Sequence, residues 1–235
     1  MIMNRTDSSL TITEEFVILT LTGKEMFKHK KLKVGNTKIY SMASIFIELF
    51  LEDKIAFNEK EQVIVTDSTL TGVQYIDEVL KTIHESKKLK KLDGWMEQFY
   101  IHSKFCSKVY NSIVKEIIDN EILEKENGEE LEDFSKVTFE DSKNIGEHII
   151  QKLRAELLEE GAIDENTMYL ALLLESNKML RAYFSEYEYK IIKERIEEVA
   201  KSNKTRIFTL IKKEITKIET YSALNLVSDI IAGLV

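Results

Sequence analysis

Lysine is the residue whose placement in this chain could do the most chemistry. Lys24, Lys28, His29, Lys30, Lys31, Lys33 and Lys38 crowd residues 24–38, and Lys87, Lys88, Lys90 and Lys91 form a second group. Lys104 and Lys108 stand four residues apart, with Lys115 eleven beyond Lys104. On a helix a spacing of four keeps two side chains on one face, and eleven residues complete about three turns. Ammonium groups gathered in this way suit an anionic surface. That surface is either lipid headgroup, at about 1 kcal/mol per lysine near a charged membrane, or nucleic-acid phosphate. The plain alternative for any single group is a solvated loop that keeps the chain soluble.

Residue patterns for catalysis are missing. None of His29, His84, His102 and His148 stands in a His-x-x-x-His pair, and none has an acidic residue three positions before it. One cysteine and scattered histidines cannot supply zinc spacing. No glycine-rich phosphate loop or Gly-x-Ser-x-Gly elbow occurs. Cys106 lies near Lys104 and Lys108, whose charge could lower a thiol pKa, but a lone cysteine on an apolar helix face reads as core. The adjacent pairs Glu14-Glu15, Glu129-Glu130 and Glu159-Glu160 diverge by about 100° on a helix and read as caps or solvated faces. The chain is expected not to be an enzyme and to need no metal or cofactor.

The bulk numbers set the frame. Of 235 residues 43% are hydrophobic and 31% charged, an ordinary globular balance with ample core material. Proline is absent and there are 8 glycines, too few turn formers for a sandwich or barrel. Cys106 alone cannot close an internal disulfide. The N-terminus lacks a secretion signal, residue 2 is Ile, and the chain ends AGLV, so no lipidation is expected. Charge-free runs such as Ile39–Ile47 reach about nine residues, well short of the roughly 20 a bilayer requires. A cytoplasmic location follows as the expectation, with membrane contact at most peripheral. The net charge of -8 is uneven. Residues 1–115 hold 17 basic and 15 acidic side chains, residues 116–160 hold 5 and 15, and residues 161–235 hold 11 of each. The N-terminal half is therefore free to present a basic face.

The elements that must position these lysines read as mainly α: a compact single-domain helical bundle with one or two small β-hairpins. Thr11 and Glu14 form a capping box before a short buried helix. A polar lysine-rich loop spans 24–38, followed by an apolar helix over 39–51. Residues 54–66 read as a hairpin turning at NEKE, and 72–86 as a helix with Val73, Ile76, Val79, Leu80 and Ile83 on one face. One or two helices then carry Trp95, Phe99, Phe105, Val109, Ile113 and Ile117. A second β excursion turns at Asn127-Gly128, and helices are expected over about 142–160, 165–183, 185–202 and 205–232. Gly161 is the expected C-cap of the first of these and Asp164 the N-cap of the next. One domain over 1–235 is expected, with a weak possible boundary near 161. The helix–helix–hairpin order of residues 11–66 also allows a winged helix. The would-be recognition helix, 39–51, offers almost no Arg, Lys, Asn or Gln to base edges, and its one ion is Glu48.

Three stretches carry a family resemblance. SLTITEEFVILTL (Ser9–Leu21), IFIELFLEDKI (Ile45–Ile55) and DSTLTGVQYIDEVLKTIHESKKLKKLDGWM (Asp67–Met96) resemble, in order, segments of the Golgi phosphoprotein 3 family. Weaker likeness runs through Ser112–Glu126 and Tyr169–Phe184. That family comprises phosphatidylinositol 4-phosphate-binding Golgi adaptors and bacterial relatives. The resemblance implies a mainly helical, non-enzymatic domain with a basic face that docks on membranes. It places the family's phosphate-holding Trp and three Arg near Lys33, Met42, Ser107 and Tyr110, so none of the four types is kept. The family's long basic hairpin is reduced here to NEKE.

The leading expectation is thus an adaptor-like peripheral membrane protein that meets anionic, phosphoinositide-like lipid. Its candidate contacts are Lys28, Lys30, Lys31 and Lys33 in the first loop and Lys104 and Lys108 on a helix. A protein-interaction module or homo-oligomer, with acidic residues 121–133 facing a basic partner, is the second reading. A nucleic-acid binder is the third.

Overall fold

The computed structural model describes residues 10–32, 36–126, 134, 137–201, 213, 214 and 217. Its first helix, α1 (Ile12–Thr22), starts at the capping box. The Thr11 hydroxyl accepts from the Glu14 amide at 3.1 Å, and the Glu14 carboxylate accepts from the Thr11 amide at 2.8 Å. Two orphan amides of the helix end are thereby satisfied. Phe16, Val17, Ile18 and Leu19 have no exposed surface, as befits a helix apolar on all sides. Its partner α3 (Thr37–Leu51) is buried continuously from Ile39 to Leu49, and together the two form the centre of the molecule.

Residues 24–29, expected as loop, fold into a short helix, α2 (Lys24–His29). Its anchor is Phe27, whose ring meets Tyr183 edge-on at 5.8 Å. The Tyr183 hydroxyl donates to the Leu19 carbonyl. A methyl group at Gly23 would collide with both rings and lie 2.8 Å from the Leu19 oxygen; only glycine lets α2 turn so tightly onto α1.

β1 (Ile55–Phe57) and β2 (Val63–Val65) pair antiparallel with Ile55 opposite Val65. The NEKE turn closes as Asn58 Oδ1 accepts from the amides of Lys60 and Gln62, both at 2.9 Å. α4 (Gln74–His84) buries Tyr75, Ile76, Val79, Leu80 and Ile83. α5 (Leu92–Ile101) contributes Trp95, Met96 and Phe99, and α6 (Ser103–Asp119) contributes Cys106, Val109, Tyr110, Ile113, Val114 and Ile117. β3 (Glu124–Lys125) pairs with β4 (Phe139–Glu140); the Asn127-Gly128 turn lies outside the described residues.

α7 (Ile145–Leu158), α8 (Glu165–Ser176), α9 (Leu180–Tyr183) and α10 (Glu186–Lys201) complete the bundle. The single helix expected over 165–183 is broken. Lys178 takes a left-handed φ of 63°, and the Met179 amide returns to the Leu174 carbonyl at 2.8 Å, the closure that ends helices in a Schellman motif. Asp164 caps α8 as expected, accepting from the Thr167 amide at 3.1 Å. Gly161 does not cap α7, which ends at Leu158. Arg195 of α10 does that work, donating to the carbonyls of Glu156 at 3.3 Å and of Leu157 and Gly161 at 3.0 Å. The expected helix over 205–232 lies largely outside the described residues. One apolar core joins residues from α1 through α10. No helix among the described residues is long and apolar enough to cross a membrane.

Candidate anionic-surface site

α3 and α6 meet near the N-terminus of α3. Asn36 starts that helix, its side-chain oxygen accepting from the Ile39 amide at 3.4 Å. One turn in, Lys38 reaches α6: its ammonium donates to Ser107 Oγ at 3.1 Å and lies 5.9 Å from the Tyr110 ring centre. Tyr40 fixes the same helix end to α8, donating to the Ser176 carbonyl at 2.8 Å. A cation therefore stands beside Ser107 and Tyr110, near which the resemblance had placed two of the family's arginines, and it is delivered from α3 rather than from α6 itself. Met42, near the place of a third, is buried at 1% exposure, and Lys33, near the fourth residue's place, lies outside the described residues.

The other candidate lysines part company. Lys28 is exposed and faces Glu25 at a loose 3.8 Å. Lys30 is drawn to α9, its ammonium donating to the Ala182 carbonyl at 2.5 Å. Lys31 is exposed at a left-handed φ of 52°. On α6, Lys104 is exposed with no ion pair to any described residue. Lys108, one turn on, is paired with Glu78 of α4 at 3.1 Å. The shared helical face of Lys104 and Lys108 is real, but a carboxylate neutralises half of it. Lys24 turns away altogether, donating to the Val137 carbonyl at 2.9 Å beside β4.

The second lysine group works as a clasp. Lys90 lies 4.7 Å over the Trp95 ring and donates to Gln98, while Lys91 pairs with Glu61 of the β1–β2 turn at 3.1 Å. Lys213 also approaches Glu61 at 3.8 Å, and Lys217 bonds to Asp93 at 3.1 Å and to Glu214 at 2.8 Å. Burial raises the Asp93 carboxyl, but the Lys217 ammonium and the Gly94 amide outweigh it and hold the group below its usual range. Lys87 and Lys88 alone of this group extend into solvent with no partner for their ammonium groups among the described residues.

The geometry agrees with two other readings, that the 39–51 helix and Cys106 belong to the core. Residues 39–49 of α3 are covered on every side, so the helix has no face to lay in a DNA groove. Burial pushes the Cys106 thiol up to about 12, with Lys38 opposing; Cys106 is a core residue, and a thiolate does not form at neutral pH.

What these features define is a helical protein built on a buried α1–α3 pair, with two minimal hairpins and a lysine of α3 bonded to α6. The family model for Golgi phosphoprotein 3 (GPP34) matches residues 15–218, and the chain belongs to that family. A comparison with curated protein sequences finds no match.

Proposed function

We propose that the chain is a non-enzymatic, adaptor-like peripheral protein that docks on anionic membrane through the α2–α3 loop and the first turns of α6. The observation that carries this reading is the Lys38–Ser107 bond, which fastens the first turn of α3, where the loop ends, to α6 one turn from Lys104. Exposed Lys28 and Lys31 then approach a surface from one element and Lys104 from the next. Family membership supports the same reading. Selectivity for one phosphoinositide is not part of the proposal. A monophosphate pocket relies on the fixed bidentate fork of arginine, and here the corresponding positions offer a single ammonium. Attraction by separate lysines is governed by charge density and salt.

Flotation tests the proposal directly. Vesicles of phosphatidylcholine, alone or with phosphatidylserine or phosphatidylinositol 4-phosphate, are mixed with protein at low and at high ionic strength. Three exposed lysines at about 1 kcal/mol each give roughly a 100-fold preference for anionic over neutral vesicles. That preference is expected to fade as the screening length shrinks from about 30 Å to about 3 Å. Equal charge density from either anionic lipid is expected to bind equally. Absence of binding to anionic vesicles at low salt ends the lipid reading.

A further inference from the structure

A single exposed apolar side chain is ordinary on a protein surface, but the place of Ile101 sets it apart. α5 ends at Ile101, which is 67% exposed, and α6 begins two residues later. Exposed His102, Ser103 and Lys104 follow it directly. Residues 98–115 contain no acidic side chain. The nearest one before them, Glu97, stands a turn back, about 6 Å along α5. The other large apolar side chains exposed among the described residues have acidic neighbours. Leu70 lines a cleft with Asp77 and Glu78, and Tyr187 lies between Glu186 and Glu188. The Leu89 carbonyl accepts at 3.4 Å from Gln62, beside the turn that carries Glu59 and Glu61.

The corner that presents Ile101 is firmly built. The His102 amide donates to the Gln98 carbonyl at 2.9 Å, and the His102 carbonyl accepts from the Phe105 amide at 2.9 Å and the Cys106 amide at 3.3 Å. Phe99 and Phe105 stack at 5.6 Å across the turn, and Phe99 stacks on Trp95 at 5.8 Å. Half-buried Tyr100 and Phe105 pack against the core. An aliphatic side chain is thus held off the core at a fixed point three residues from Lys104, on the helix that the Lys38–Ser107 bond joins to the first turn of α3.

We propose that Ile101 is the apolar anchor of the docking surface: it enters the acyl boundary of an anionic bilayer while Lys104 stays among the headgroups. The proposal rests on the docking reading above and adds to it an attraction that salt does not screen. Apolar groups of interfacial proteins reach about 5–10 Å into the boundary between headgroups and chains, and a lysine stem spans back from that depth to the anionic layer. In this arrangement α5 points its C-terminal end at the membrane, which leaves Glu97 a turn farther out.

The experiment uses the full chain with vesicles of phosphatidylcholine and phosphatidylserine. Depth is read from a nitrobenzoxadiazole dye on Ile101→Cys and, as control, on Lys87→Cys; Cys106 is buried and stays unlabelled. Dye at 101 is expected to brighten and shift to the blue when vesicles are added, and to be quenched by lipid spin-labelled near the top of its acyl chain. Dye at 87 is expected to do neither. Ile101→Ser is expected to weaken flotation roughly tenfold, by the same factor at low and moderate ionic strength, and Ile101→Leu to bind as wild type does. Floated protein whose dye at 101 remains in water, or Ile101→Ser that floats like wild type, overturns the anchor and leaves docking by charge intact. A blue shift that follows protein concentration without vesicles assigns the corner to a second copy of this chain instead. Wild type that fails to float at low salt removes both readings.

Discussion

Between about pH 5 and about pH 9 the unfolding free energy is expected to fall by on the order of 4 kcal/mol through Glu48 alone, and Glu48→Gln to remove that fall. Glu48 lies on α3 at 5% exposure, one carboxyl oxygen accepting from the Thr13 amide at 2.6 Å. Its other oxygen is buried without a hydrogen-bond partner. Burial pushes this carboxyl from its ordinary 4.5 up to about 8; the bonds from Thr13 oppose the rise and the neighbouring Glu14 adds to it. The titratable groups around it are Glu14 from α1 and Tyr75 from α4, with Glu116 of α6 acting on Tyr75 in turn.

The sign follows from the direction of the shift. The folded chain holds a proton that the unfolded chain has released, so the stabilisation is complete below about 4.5 and lost as pH rises through about 8. Glutamine keeps the acceptor for Thr13 and cannot ionise. Glu15, also raised by burial against the pull of Lys152, titrates in the same direction in both proteins. The diagnostic quantity is therefore the difference between wild type and variant in urea unfolding across pH. Parallel curves would show that Glu48 does not hold a proton in the fold.

The second large effect is at Trp95. Trp95→Ala is expected to cost about 3–5 kcal/mol. The indole is 1% exposed, stacked 5.8 Å from Phe99 and tilted against Phe46 at 6.3 Å, and Phe99 continues the stack to Phe105 at 5.6 Å. Through this ring α5 is joined to α3 and, beyond Phe99, to α6. The Lys90 ammonium over the ring adds a cation–π contact of about 0.5–1 kcal/mol. Because the indole N–H has no partner, Trp95→Phe breaks no hydrogen bond and is expected to cost well under half as much. Chemical unfolding followed by circular dichroism decides this; a loss below about 1 kcal/mol for alanine would place Trp95 outside the cooperative core.

Features legible in the sequence were those whose signal is local. Thr11 and Glu14 are three residues apart and bond to each other, Asp164 caps the helix that follows it, and the apolar run 39–49 is buried as its composition demands. What could not be read depends on partners distant in the chain. α2 forms inside a lysine-rich stretch because Phe27 finds Tyr183. α7 is closed by Arg195, more than thirty residues later, where Gly161 had offered a nearer and ordinary cap. The same holds at the candidate site. No spacing announces that Lys38 joins Ser107 or that Lys108 is matched by Glu78, so lysines equal in sequence divide into exposed, bonded and neutralised groups only once the helices pack.

That division gives the most direct test of membrane docking. Two variants with the same change in net charge, Lys31→Glu with Lys104→Glu and Lys87→Glu with Lys88→Glu, are floated with phosphatidylserine-containing vesicles at low salt. All four side chains are exposed, so both variants are expected to fold. Docking through the first loop and α6 predicts at least about 30-fold weaker binding for the first pair and a small change for the second. Equal weakening of the two would show that the chain responds to overall charge rather than through this face, and no weakening by the first pair would contradict the proposed surface outright.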